Sequence, residues 1–149
     1  MRALKRARTS APPFMTTFDA GQRETCTVRQ QRTNTPLQAL TLMNDVTFTE
    51  SARVLAERVL SSSLEGDAAR LDRVFLLTIS RQPTTAETAI LLANLKHQRS
   101  AFTRAPAAAA KLAATGDTPR HPGLVDGEVA TWTTLSSLLL NLDEAISRE

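Results

Sequence analysis

Aromatic side chains are scarce in this chain. They make up 4% of its 149 residues, and tyrosine is absent. A β-sandwich draws on aromatic and β-branched residues, so their scarcity favours packed helices with a core of Leu, Val, Ala and Phe. Glycine is also sparse, at five residues, which leaves few tight turns for a many-stranded fold. The single cysteine, Cys26, excludes an intrachain disulfide and a Cys-x-x-Cys-His haem site. A lone cysteine is ordinarily a small buried residue. To act as a nucleophile it needs a depressed pKa, for which Arg23 and Arg29 lie three residues to either side. No apolar run is long enough for a membrane span. The basic residues near Met1 are followed only by Ala11-Pro-Pro-Phe-Met15, too short and too broken by proline for a secretory leader. A Gly-rich phosphate loop, a nucleophile elbow, zinc-ligand spacing and His-Glu-x-x-His are all missing. No catalytic set, metal or cofactor is therefore expected, and no reaction is assigned.

What the chain does have is an uneven distribution of charge. Residues 1–36 carry Arg2, Lys5, Arg6, Arg8, Arg23, Arg29 and Arg32 against Asp19 and Glu24. The remainder carries eleven basic and thirteen acidic residues. A basic arm suits a nucleic acid or an anionic surface. No aromatic residues interleave with these arginines for base stacking, so nucleic acid is the weaker reading, and a solvated or interdomain segment the stronger.

The most information-dense stretch is Arg29-Gln-Gln-Arg-Thr-Asn-Thr-Pro-Leu-Gln-Ala-Leu-Thr-Leu-Met-Asn-Asp45. Thr35-Pro36 is a helix start: the threonine oxygen accepts from an early helical N–H, and proline at the first position gives up an N–H that had no partner. Asn34 suits the preceding turn, and Asn44-Asp45 ends the run. Thr47-Phe-Thr-Glu50 has the form of a capping box for a second helix over about 48–60, with Ala52, Leu55, Ala56 and Val59 inward and an Arg53–Glu57 pair mostly outside. Asp67 is expected to cap a third helix to about Ser80, with Leu71, Val74 and Phe75 buried. Thr84-Thr-Ala-Glu87 is another capping box and opens a long helix to Arg104, with Ile90, Leu91, Leu95 and Phe102 on its apolar side. These two helices read as a hairpin packed on the second. Pro106 starts a short Ala-rich helix that stops at Gly116. A loop follows. The last helix begins at Asp126 or Gly127, with Val129, Trp132, Leu135, Ser136 and Leu139 on one face and Leu138-Leu-Leu140 buried on more than one side. The fold class is thus all-α: a compact bundle of about five helices over residues 34–149, behind a basic, irregular segment 1–33.

Several separated motifs carry a family resemblance. They are Phe18-Asp-Ala20, Glu24-Thr-Cys-Thr-Val-Arg29, Arg32-Thr-Asn-Thr-Pro-Leu-Gln-Ala-Leu-Thr-Leu-Met-Asn-Asp45 and the ending Ser137-Leu-Leu-Leu-Asn-Leu-Asp-Glu144. In this order they resemble the C-terminal domain family of large planctomycete-type proteins catalogued as domain of unknown function 1553. The resemblance implies a long, exported parent, often with a cytochrome-c-like segment upstream. It implies no reaction. This chain would then be a fragment whose partners are the missing upstream domains.

Arg23, Arg29 and Arg32, with Asn34, are the candidate binding residues. Three guanidinium groups brought together by a folded-back loop suit a carboxylate or sulfate, or acidic residues of a neighbouring domain. Asp143 and Glu144 are adjacent and would point about 100° apart on a helix, a poor acid/base pair. The leading reading is a structural, interdomain module. The alternatives are part of an enzyme acting on polysaccharide or another anionic polymer, and, more weakly, a nucleic-acid-binding domain.

Overall fold

A computed structural model describes residues 36–146, and these are all-helical, with no strand among them. The helices are α1 (Pro36–Asn44), α2 (Val46–Leu60), α3 (Asp67–Ile79), α4 (Thr85–Arg104), α5 (Pro106–Ala113), α6 (Asp126–Leu140) and the single turn α7 (Asp143–Ile146). The compact helical fold expected from composition is therefore present, including the helix expected from Pro36 to Asn44, with the turn α7 added.

The last long helix in the sequence, α6, lies at the centre of the bundle. Its charges are confined to Asp126 and Glu128 in the first turn, where carboxylates suit the positive end of the helix dipole. From Val129 to Leu140 it carries none. A helix without a charged face belongs inside. α6 packs closely on α2, α4 and α5 and touches α3 and α7. Burial extends beyond the expected face to Ala130, Thr131 and Thr133. The two threonines are tolerated there because each hydroxyl donates to the carbonyl four residues back, Thr131 to Gly127 and Thr133 to Val129, both at 2.7 Å. Around Trp132, Leu135 and Leu139 gather Ala56 and Val59 of α2, Leu71, Val74 and Phe75 of α3, and Leu91 and Leu95 of α4.

The α3–α4 hairpin forms, but α4 lies more against α6 than against α3. Ile90 falls off the apolar side and is 69% exposed. Leu138 is also exposed, because only the Leu135 and Leu139 side of that turn meets the core.

Two helix starts differ from expectation for one reason: the acidic residue found a stronger partner elsewhere. Asp45, not Thr47, caps α2, accepting from the Thr47 N–H at 2.8 Å, and Glu50 turns away to a distant loop. α3 is capped by the backbone of Gly66, in a left-handed conformation open to glycine. Asp67 becomes its first helical residue and spends its carboxylate on Arg99. The Thr84–Glu87 capping box is present as expected.

Candidate functional site

Three arginines organise the polar interactions of the described residues, and each holds separate parts of the chain together. Arg53 is fully buried on α2, beside Ala52 and Ala56, which are small enough to leave it room. Nη1 donates to Glu57 Oε1 at 2.7 Å, Nε to the Thr115 carbonyl at 2.8 Å and Nη2 to the Thr118 carbonyl at 2.7 Å. Glu57 is only 6% exposed and accepts from the His121 N–H with its other oxygen. Glu50 accepts from the Thr118 N–H, and these Thr118 hydrogen bonds hold its carboxyl below the usual range. Gly116 sits under Glu50 at a φ of 95°, and a Cβ there would lie 2.3 Å from Glu50 Cδ. Two successive turns of α2, from Glu50 to Glu57, thus fasten the loop between α5 and α6. Sequence reasoning set Arg53 and Glu57 outside the core. Their i, i+4 spacing fits a surface pair equally well, and only the loop that folds over them makes them interior.

Arg99 joins three helices. Its guanidinium donates to both oxygens of Glu128 at 2.6 and 2.9 Å and to both oxygens of Asp67 at 2.9 and 3.1 Å. Arg99 and Glu128 stand at one side of a cleft of about 370 Å³. Phe102, Pro106, Ala109 and Val125 form its apolar wall, and Asp126, paired with Arg120, lies on its rim. The carboxylates flanking Arg99 raise its already high pKa, so it remains charged at any accessible pH. Its fork is engaged from two directions, which makes it a clamp.

Arg81 closes the opposite end. It donates to both oxygens of Glu87 and both of Glu144, and its guanidinium lies 4.9 Å from the centre of the Phe75 ring. Arg81, then the backbone N–H and hydroxyl of Thr84, hold the Glu87 carboxyl down at about 2 from an ordinary 4.5. A depressed folded-state pKa contributes stability that is fully present above the unfolded value and is lost as pH falls through the folded one. Stability is therefore expected to decline from about pH 4.5 to about pH 2. Glu87→Gln should reduce that slope, as read from urea midpoints across this interval; identical slopes would mean that other carboxylates govern the acid limb.

The sequence-derived candidates Arg23, Arg29, Arg32 and Asn34, and Cys26 with them, lie outside the described residues. His97 and His121 are exposed. Glu144 is committed to Arg81, which gives the polar C-terminal corner a structural task. No group of three or more His, Cys, Asp or Glu side chains suited to a metal ion occurs among the described residues, and none of their helices is long and apolar enough to cross a membrane. Arg81 and Arg99 were not singled out from sequence. Each is a lone arginine whose partners lie on other helices, a relation that no local spacing encodes.

A family model described as "PSD1: Protein of unknown function (DUF1553)" matches residues 2–95. The chain belongs to this family. The DUF1553 match takes in the N-terminal segment, α1 to α3 and the first half of α4. It includes the motifs from Phe18 to Asp45 and stops short of the Ser137–Glu144 ending. No curated protein and no solved structure matches the chain.

Proposed function

We propose that this chain is the structural C-terminal module of a larger exported protein of planctomycete type, and that it works by packing against other parts of that protein. Residues 34–149 are the helical module, and residues 1–33 the connector. The observation that carries this reading is α1. It contains no charged residue, yet Leu40 and Met43 are 57% and 61% exposed. Such a helix is suited to contact with another polypeptide surface. The arginines of the described residues that form extended networks are spent on internal clamps, which is consistent with a scaffold. Arg23, Arg29 and Arg32, with Asn34, then serve as connector residues that pair with acidic groups of the parent.

The test is an immunoblot of fractionated cells with an antibody against residues 36–146. A band far above 16.2 kDa in an exported fraction is expected. A single cytoplasmic band at the mass of the chain alone would overturn the reading.

A further inference from the structure

Gly127 has no conformational task. It is the second residue of α6, its φ is not in the left-handed region, and a Cβ added there would meet nothing within 4 Å. Neither backbone nor packing calls for glycine, and glycine weakens a helix relative to alanine. What the missing side chain does is leave space. Gly127 lines the cleft of about 370 Å³ that α4, α5 and the start of α6 enclose. Its size falls at the small end of the range for ligand pockets. A glycine in such a wall lets a ligand come close to the backbone.

The two sides of the cleft differ in character. Phe102, Pro106, Ala109 and Val125 make one side apolar. Val125 is 70% exposed, so apolar surface reaches the mouth. The other side is acidic in balance. Asp67 and Glu128 share Arg99, and Asp126 pairs with Arg120. Three carboxylates thus face two guanidinium groups, and one negative charge is left over. The acceptors differ too. Both oxygens of Glu128 and both of Asp67 already take the Arg99 fork. Asp126 accepts from Arg120 through one oxygen, and its other oxygen has no hydrogen bond among the described residues.

From this we infer that the cleft receives a lysine side chain from another part of the parent protein. The aliphatic stem lies along Phe102, Pro106 and Val125, past Gly127, and the ammonium meets the open oxygen of Asp126. A long apolar stem with a charged end matches a cleft that is apolar along one side and acidic at its rim. Lysine fits better than arginine because a single open oxygen suits a compact point charge, whereas a planar fork seeks a carboxylate with both oxygens available. A carboxylate or phosphate ligand would be repelled by the surplus negative charge. The inference rests on the docking reading above and gives the module a second contact, apart from α1, which packs mainly on α2.

Amide NMR titration of the full 149-residue chain with Nα-acetyl-lysine amide tests this. Saturable shifts are expected in the first turn of α6 and around residues 102–109, with a dissociation constant on the order of millimolar. Nα-acetyl-norleucine amide, which keeps the stem and lacks the charge, should bind about tenfold more weakly. Asp126→Asn should weaken the lysine probe about fivefold, and added salt should weaken it further. Gly127→Leu should abolish binding by filling the cleft, with the thermal midpoint unchanged or raised. Absence of saturable shifts up to about 50 mM probe would overturn the inference. So would norleucine amide binding as tightly as the lysine probe, unaltered binding in Asp126→Asn or Gly127→Leu, or tighter binding of Nα-acetyl-glutamate amide. None of these results bears on α1, so the interdomain reading would stand. A free cytoplasmic 16.2 kDa product on the immunoblot would remove the parent as the source of the lysine and leave the amine site itself intact.

Discussion

Arg53→Ala is expected to lower the unfolding free energy by about 3–5 kcal/mol, the usual cost of breaking a buried ion pair. The physical cause is what remains behind. Glu57, nearly buried, is left without its counter-ion, and the Thr115 and Thr118 carbonyls lose their donors in the same stroke. Glu57→Ala is costly for the mirror-image reason, since it takes away the nearer carboxylate of the buried guanidinium and leaves only Glu50 at 4.0 Å. The double variant should therefore cost less than the two single changes added together, because neither charge is left alone. Urea unfolding followed by circular dichroism measures all three. Strict additivity would show that the two side chains act independently. A local readout accompanies the global one: in Arg53→Ala the amides of residues 115–121 should exchange faster than those of α6.

Trp132→Ala is expected to cost about 3–5 kcal/mol, the range for removing a large aromatic side chain from a core. Trp132 is wholly buried and lies in the cluster where α2, α3, α4 and α6 meet, so none of these helices can close the space without leaving another. One term runs the other way. The indole N–H has no hydrogen-bond partner among the described residues, and its removal relieves an unsatisfied donor. Van der Waals loss outweighs that relief, because the donor is one atom and the ring lies wholly within a cluster drawn from four helices. Since this is the chain's only tryptophan, the variant must be followed by circular dichroism. Ile90→Ala, at a 69% exposed position, is the control and should stay within about 0.5 kcal/mol. A Trp132→Ala cost equally small would mean that the centre of the bundle is loosely packed.

Local signals were legible in the sequence. Pro36, Pro106 and the Thr84–Glu87 box mark real helix starts because each acts within one turn of its own backbone. The buried face Val129, Trp132, Leu135, Ser136 and Leu139 was readable from spacing alone. What escaped was whatever depends on two distant parts of the chain. Glu50 fits a capping box with Thr47 and also fits a contact with Thr118, and sequence spacing sees only the first. Asp67 is an ordinary cap residue until Arg99 stands opposite it. The centrality of α6 had a usable signal in its uncharged run, one that an argument from a single apolar face undervalues. The candidate binding residues Arg23, Arg29, Arg32 and Asn34 were chosen for charge and proximity to a helix start, and they lie outside the described residues. The Arg53–Glu57 pair was foreseen but set at the surface, because an arginine in a helix is, by pattern alone, a surface residue, and the half-exposed clamps of Arg81 and Arg99 were missed because Glu144, Asp67 and Glu128 lie far along the chain from them.

Arg53 grips carbonyl oxygens, which every amino acid possesses. The loop it holds is therefore strict about length and lenient about composition. Asp117 and Pro119 present their side chains to solvent, where replacement leaves the two gripped carbonyls in place. A single residue inserted between Thr115 and Thr118 would move one of them out of reach. Gly116 is the exception, fixed by its backbone and by Glu50 above it. This outer loop can thus acquire a new surface over generations while the bundle beneath it keeps its shape.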